Sequence, residues 1–283
     1  MVDATRTLSG RRLGAVNLTW AFVERQTNLW KRWWGWELVW LAYGVVNTLA
    51  VTFIADEAGR SGALAPEAAR ELALFLLIGT LGWAYLSAVI DDISMVMGIE
   101  RWEGTIEHTL MAPASRALHL TGMMIFGVLH AIVRTILIGG IALFFFDVDF
   151  SQADWASAAV VLAVGSFSAC GLAVIAGVLP LLYPERGPQM TLMIQVALLL
   201  VSGVYYGVEV LPGWLQTVSH VSPVTYILRG VRDAIQHGAS VSDLRGELAL
   251  LALFGLVLVP LGLAIFNLAE TCAKKTGRLK RMG

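Results

Sequence analysis

Hydrophobic positions along this chain come in long uninterrupted blocks. Uncharged apolar windows run from Leu38 to Ile54, Leu72 to Ile90, Trp155 to Pro184, Gly187 to Val208 and Leu248 to Ala269. A sixth, Leu120 to Phe146, is apolar apart from His130 and Arg134. A helix rises 1.5 Å per residue, so about 20 mostly apolar residues cross the roughly 30 Å of bilayer hydrocarbon. The six windows predict six membrane-spanning helices and an all-α polytopic fold. The first is the shortest and extends back through Trp36 and Glu37.

Two polar stretches carry a weaker periodic signal. Leu13, Val16, Trp20, Val23, Thr27, Trp30 and Trp34 recur at spacings of three and four, which places them on one helical face, with Arg25, Asn28, Lys31 and Arg32 off it. This predicts an interfacial amphipathic helix over 13–35, tryptophans at headgroup depth and cations toward anionic lipid or water. A helix packed on a soluble partner is the alternative. Residues 209–247 are too polar to cross, yet Pro212 to His220 and Pro223 to His237 read as short helices opened by proline. Val224, Ile227, Leu228, Val231 and Ile235 share a face of the second, and Gly238 is its stop. They are expected to be extracellular half-helices that re-enter the outer leaflet. With no internal repeat and only short loops, residues 1–283 read as a single transmembrane domain.

Composition agrees, at 57% hydrophobic and 14% charged residues, where a soluble domain is about half apolar and about a quarter charged. The distribution of charge adds orientation. Residues 1–35 hold six Lys or Arg and the tail from Glu270 five, and with the loops at 91–119 and 185–186 that side carries fourteen. The segments 55–71, 147–154 and 209–247 carry five. Lys and Arg are retained on the cytoplasmic side, so both termini are expected there, in a cytoplasmic membrane. Some 35 polar and aromatic residues precede the first window, so it is expected to be a retained span rather than a cleaved signal. A net charge of −1 gives no reason to invoke nucleic acid. Cys170 in an apolar window and Cys272 in the polar tail make no disulfide or zinc framework.

Catalytic chemistry finds little purchase. None of Lys31, Lys274, Lys275 or Lys280 follows a glycine, so the G-x-x-x-x-G-K-[ST] loop that cradles nucleotide phosphates is missing. The five histidines are scattered without ligand or triad spacing, and no metal or cofactor is assigned to the chain. Glu37 reads as the one acid inside or beside a span, which disfavours an ion-coupled carrier. Arg134 is the most expensive residue in the spans, about 2.5–3.5 kcal/mol on insertion scales. His130 lies one turn before it on the same face. The pair either lines a substrate path, meeting an anionic or polar group, or bonds carbonyls and a neighbouring helix.

The segment Ile99-Glu100-Arg101-Trp102-Glu103-Gly104-Thr105-Ile106-Glu107-His108-Thr109-Leu110-Met111-Ala112-Pro113 resembles the E-R-E-x-G-T-[LI]-E-x-L-x-x-[ST]-P stretch of ABC-2 type permeases, exporters of drugs, lipids and polysaccharides. Trp102-Glu103 displaces the family's acidic spacing by one residue. Ser202-Gly203, Leu211-Pro212-Gly213-Trp214-Leu215, Ser222-Pro223-Val224-Thr225-Tyr226 and Arg229 to Arg232 are similar to the family's run before its last span. The resemblance implies a permease subunit that dimerises, as a homodimer or with a related permease, and binds two cytosolic P-loop ATPase subunits that hold ATP and Mg. The region 94–113 would supply the coupling element, through Glu100, Arg101, Glu103, Gly104, Thr105 and Glu107. Such a segment is expected to be exposed and charged, turning at Gly104 and ending at Pro113. The sequence thus reads as the membrane half of an ATP-driven exporter of an amphipathic or hydrophobic substrate. An ion-coupled carrier and a non-transporting scaffold subunit are the alternatives.

Overall fold

The structure is a computed structural model that describes residues 14–105, 109, 111, 114–146, 150–183 and 185–275. Its regular elements are helical: α1 (Ala15–Arg32), α2 (Trp34–Arg60), α3 (Pro66–Ser94), α4 (Val96–Trp102), α5 (Arg116–Phe145), α6 (Trp155–Ala176), α7 (Val178–Leu182), α8 (Gly187–Val201), a 3-10 turn (Val208–Val210), α9 (Gly213–Val221), α10 (Pro223–Gln236) and α11 (Arg245–Lys275). Within the described residues, five helical stretches are long and apolar enough to cross a bilayer.

The departure is at the fifth window. Its helix α8 has 15 residues, about 22 Å of rise against about 30 Å of hydrocarbon. The chain leaves the helix at Ser202 and turns through Gly203 at φ +70°, so the window's last residues fold as a turn rather than as helix. The window Trp155 to Pro184 is likewise broken at Gly177 into α6 and α7.

Spans pack where small residues let backbones approach. A Cβ on Gly171 of α6 would lie 2.6 Å from Leu258 Cβ and 2.8 Å from Val259 N of α11, so these two helices touch at a spot only glycine permits. Polar atoms inside the bundle are spent locally: Thr52 and Thr80 hydroxyls donate to Thr48 and Leu76 carbonyls one turn back, and Tyr85 bonds Ser166 across α3 and α6. Asp154 caps α6, accepting from Ser157 N at 3.1 Å and Ser157 Oγ at 2.6 Å, and these bonds hold its carboxyl below the usual carboxylate range.

The predicted pair of short helices is present as α9 and α10. Val224, Ile227, Leu228 and Val231 of α10 are buried, and Gly238 ends the segment at φ +63°. The interfacial stripe fares differently. Val23 is buried and Trp30 half-buried, while Val16, Trp20 and Trp34 are exposed and Leu13 lies outside the described residues. Helix α1 packs on α5 at Gly122, where a Cβ would meet Phe22 Cβ at 2.7 Å and Thr19 O at 2.9 Å. Two of its cations, Arg25 and Arg32, pair with acids of the α4 segment rather than facing only lipid or water, as described next. The N-terminal helix and the end of α11 both contact the start of α5, at one end of the bundle, here the terminal end; α9 and α10 lie at the far end.

Candidate functional site

The terminal end is built around α4. Gly104 has φ +73°, where a side chain is strained, and Gly104 N donates to Arg101 O at 3.2 Å while Thr105 N donates to Glu100 O at 2.9 Å. These paired bonds close α4 in a Schellman motif, which satisfies carbonyls the helix end would otherwise orphan. The glycine and threonine of the motif are thus a helix stop. The turn that the sequence assigned to Gly104 is present in this form.

The charged residues of α4 correct the sequence reading. Glu100 is 2% exposed and Arg101 5%, so neither lies on a solvated face. Glu100 Oε1 accepts from Arg25 Nη1 at 2.6 Å and lies 3.5 Å from His119 Nε2. Arg25 Nη1 also donates to Thr109 Oγ1 at 3.3 Å. Arg101 Nη1 donates to Leu181 O of α7 at 2.9 Å, and Arg32 pairs with the half-buried Glu103. The physical reason is that a short helix sunk between α1, α5 and α7 must bring partners for any charge it buries. Glu107 lies outside the described residues.

From His119 the chain of contacts continues. Arg116 Nη1 approaches His119 Nδ1 at 2.8 Å, while Arg116 Nε and Nη2 bind Glu270 Oε2 and Oε1 at 2.7 and 3.3 Å. Lys274 Nζ closes on Glu270 Oε1 at 2.7 Å. Arg25, Arg116, His119 and Glu270 therefore join α1, α4, α5 and α11 in one network. None was assigned to a site from sequence, because the pairings that join the helices lie far apart along the chain and no local spacing announces them.

A second cluster lies deeper. His130 Nδ1 is 2.6 Å from Asp92 Oδ2 and its Nε2 is 3.3 Å from Glu37 Oε1. The His130 ring stacks on Phe126 at 5.5 Å and meets Trp30 edge-on at 5.3 Å. Arg134 Nη2 donates to Trp40 O at 3.1 Å, and its Nε lies 3.9 Å from Glu37 Oε1. Beside them Gln195 Nε2 of α8 donates to Asp91 Oδ1 at 2.6 Å. Helix α3 runs on to Ser94 and carries Asp91 and Asp92 with it, so Glu37 is not the only acid of the spans. Of the two sequence readings of His130 and Arg134, the observed contacts are those to carbonyl and neighbouring helix.

The second motif organises the far end. Arg232 Nη1 donates to Gly203 O at 2.7 Å and Nη2 to Val204 O at 2.6 Å, with the guanidinium 3.6 Å over the Phe75 ring. A cation on the open carbonyls where α8 stops completes that helix end. Ser219 donates to Val201 O, Ser202 and Ser222 hydroxyls lie 3.3 Å apart, and Tyr226 OH donates to His220 O at 3.0 Å.

The sequence profile described as ABC-2 type transporter matches residues 18–235, most of the chain. The chain belongs to the ABC-2 type transporter family. Among curated proteins it is similar to the inner membrane transport permease YadH of Escherichia coli K12 and of Shigella flexneri, 26% identical over 160 residues in each case. The matched region covers 56% of this chain and 60% of either relative, so the chain spans under two thirds of the length of the curated relatives it matches. The described residues of the two family motifs of this ABC-2 protein form helix stops at opposite ends of one helical bundle, the first with buried charge pairs and the second with Arg232 on backbone carbonyls.

Proposed function

We propose that this ABC-2 protein is the permease subunit of an ATP-driven exporter in a cytoplasmic membrane, with both termini in the cytoplasm. It works as a dimer of two copies or of this chain with a related permease. Two cytosolic ATPase subunits supply ATP and Mg, and an amphipathic or hydrophobic substrate passes outward between the permeases. The observation that carries this reading is the cross-braced terminal end: α4, its Schellman stop and Thr109 are held to α1, α5 and α11 by Arg25, Arg32, Arg116, His119 and Glu270. A short element held on several sides transmits force from a docked partner better than a free loop. ATP-bound partners would then favour one arrangement of the two permeases.

Because Glu100 and Arg101 are buried, the docking contact falls to what projects beyond them. Met111 is 73% exposed in the same segment, an apolar side chain suited to a groove on the partner. Met111→Asp is expected to abolish co-purification of the ATPase while leaving the permease's melting temperature unchanged. Stoichiometric recovery of the ATPase with this variant would sink the docking assignment.

Ion coupling gains one specific observation, the acids Glu37, Asp91 and Asp92 beside His130. Everted vesicles separate the two readings. An exporter fills them with ATP present and a protonophore added, whereas an ion-coupled carrier stops with the protonophore and runs on an imposed gradient without ATP.

A further inference from the structure

The far end holds a cavity of about 220 Å³ that no part of the proposed coupling uses. It lies where the turn after α8 meets α10, between Phe75, Thr225, Glu209, Arg229, Arg232 and Asp233. Two side chains in its wall are more than nine-tenths buried and incompletely bonded: Thr225, 4% exposed, has no partner for Oγ1, and Arg232, 8% exposed, has none for Nε. Buried polar atoms are normally paired, and an orphan costs about 1–3 kcal/mol. The two residues that carry these atoms line the cavity, so a polar group bound there and reaching them would be stabilised.

The charges around it are ordered by depth. Arg232 is the innermost cation, bonded through Nη1 and Nη2 to carbonyls rather than to a carboxylate. Arg229 lies one turn earlier on the same helix, exposed at the rim. Acids share that rim: Glu209 is exposed, and half-buried Asp233 lies, through Oδ1, 3.5 Å from Nδ1 of the exposed His237. The volume falls below the roughly 300–1,000 Å³ of pockets for drug-sized ligands, which leaves a small polar group. Arginine favours oxyanions, and carboxylates at the rim favour an ammonium.

We propose that this cavity binds a small zwitterion, its oxyanion toward Arg232, Thr225 and Arg229 and its ammonium toward Asp233 and Glu209. Phosphoethanolamine has this chemistry, either as a lipid headgroup entering from the leaflet or as a free solute. That the site faces outward rests on the proposed orientation; binding itself does not.

The test uses the full chain in phosphatidylcholine nanodiscs, titrated by calorimetry with soluble O-phosphoethanolamine, with dihexanoyl phosphatidylethanolamine and with inorganic phosphate. Saturable binding of either phosphoethanolamine compound is expected, and binding of the short-chain lipid alone marks the leaflet as its source. Arg229→Ala removes an exposed side chain and should weaken binding about tenfold, the loss of one charged hydrogen bond, at an unchanged melting temperature. Asp233→Asn should weaken phosphoethanolamine while leaving inorganic phosphate as it was. Thr225→Val, close in shape, should weaken all three probes, since each bears a phosphate. No saturable binding of either phosphoethanolamine compound, or binding indifferent to Arg229→Ala, overturns the site. Inorganic phosphate binding as tightly as phosphoethanolamine overturns the zwitterion assignment.

Discussion

Gly104 carries a backbone conformation of φ +73° that an L side chain enters at about 1–2 kcal/mol. Gly104→Ala should therefore lower thermal stability by about that amount, read as a drop in melting temperature in detergent, and fray the end of α4. Glu100 poses a different problem, because it is buried with one oxygen on Arg25. Removing Arg25 leaves a charge stranded, so Arg25→Met and Glu100→Gln should each destabilise more than the pair together, with a coupling of about 0.5–3 kcal/mol in a double-mutant cycle. Asp154 supplies the pH dependence. Its carboxyl is depressed by the Ser157 bonds, so its contribution is present above the ordinary carboxylate range and is lost as pH falls through the lowered folded value. Asp154→Ala should thus lower the melting temperature at neutral pH, and the gap between variant and parent should close in strong acid.

At the scale of elements, the short α8 is stabilised by its surroundings. Its 15 residues end with carbonyls open inside the bundle just past the helix, and the Arg232 fork covers Gly203 O and Val204 O. Arg232→Lys keeps a positive charge but cannot hold two carbonyls from a planar fork. It should lower stability by about 1–3 kcal/mol, the range for leaving a buried acceptor unpaired, as measured by thermal unfolding in nanodiscs. Helix α3 shows the opposite effect. Nothing apolar favours Asp91 and Asp92 inside a span, yet the helix continues through them because Gln195 and His130 supply bonds from α8 and α5. The existence and order of the apolar helices were legible in hydropathy, and α9, α10 and the Gly238 stop in the placement of proline and glycine. Where α8 ends and α3 continues was not, because both boundaries are set by side chains contributed from other helices.

For the whole molecule the governing matter is how the first and last helices of the bundle are joined. The terminal network runs from Arg25 through Glu100, His119 and Arg116 to Glu270, spanning the first helix and the last. If force enters near α4, breaking this bracing at Arg116 should uncouple transport from ATP hydrolysis more than it weakens ATPase docking. Arg116→Met is expected to retain the co-purified ATPase but lose substrate stimulation of its activity; equal loss of both would point to simple unfolding. By itself the sequence determined what depends on composition and near-neighbour spacing. Apolar windows must find an apolar solvent, proline and glycine set helix starts and stops, and the segments around Glu100 to Thr105 and Ser202 to Arg232 marked the family resemblance. Only the tertiary structure decided that Glu100 and Arg101 are buried rather than solvated, that Asp91 and Asp92 belong to a span, and that Arg232 closes the end of α8. Each of these turns on a charge whose partner lies about 30 or more residues away or on another helix, and Coulombic and hydrogen-bond pairing at that separation leaves no periodic trace in a linear sequence.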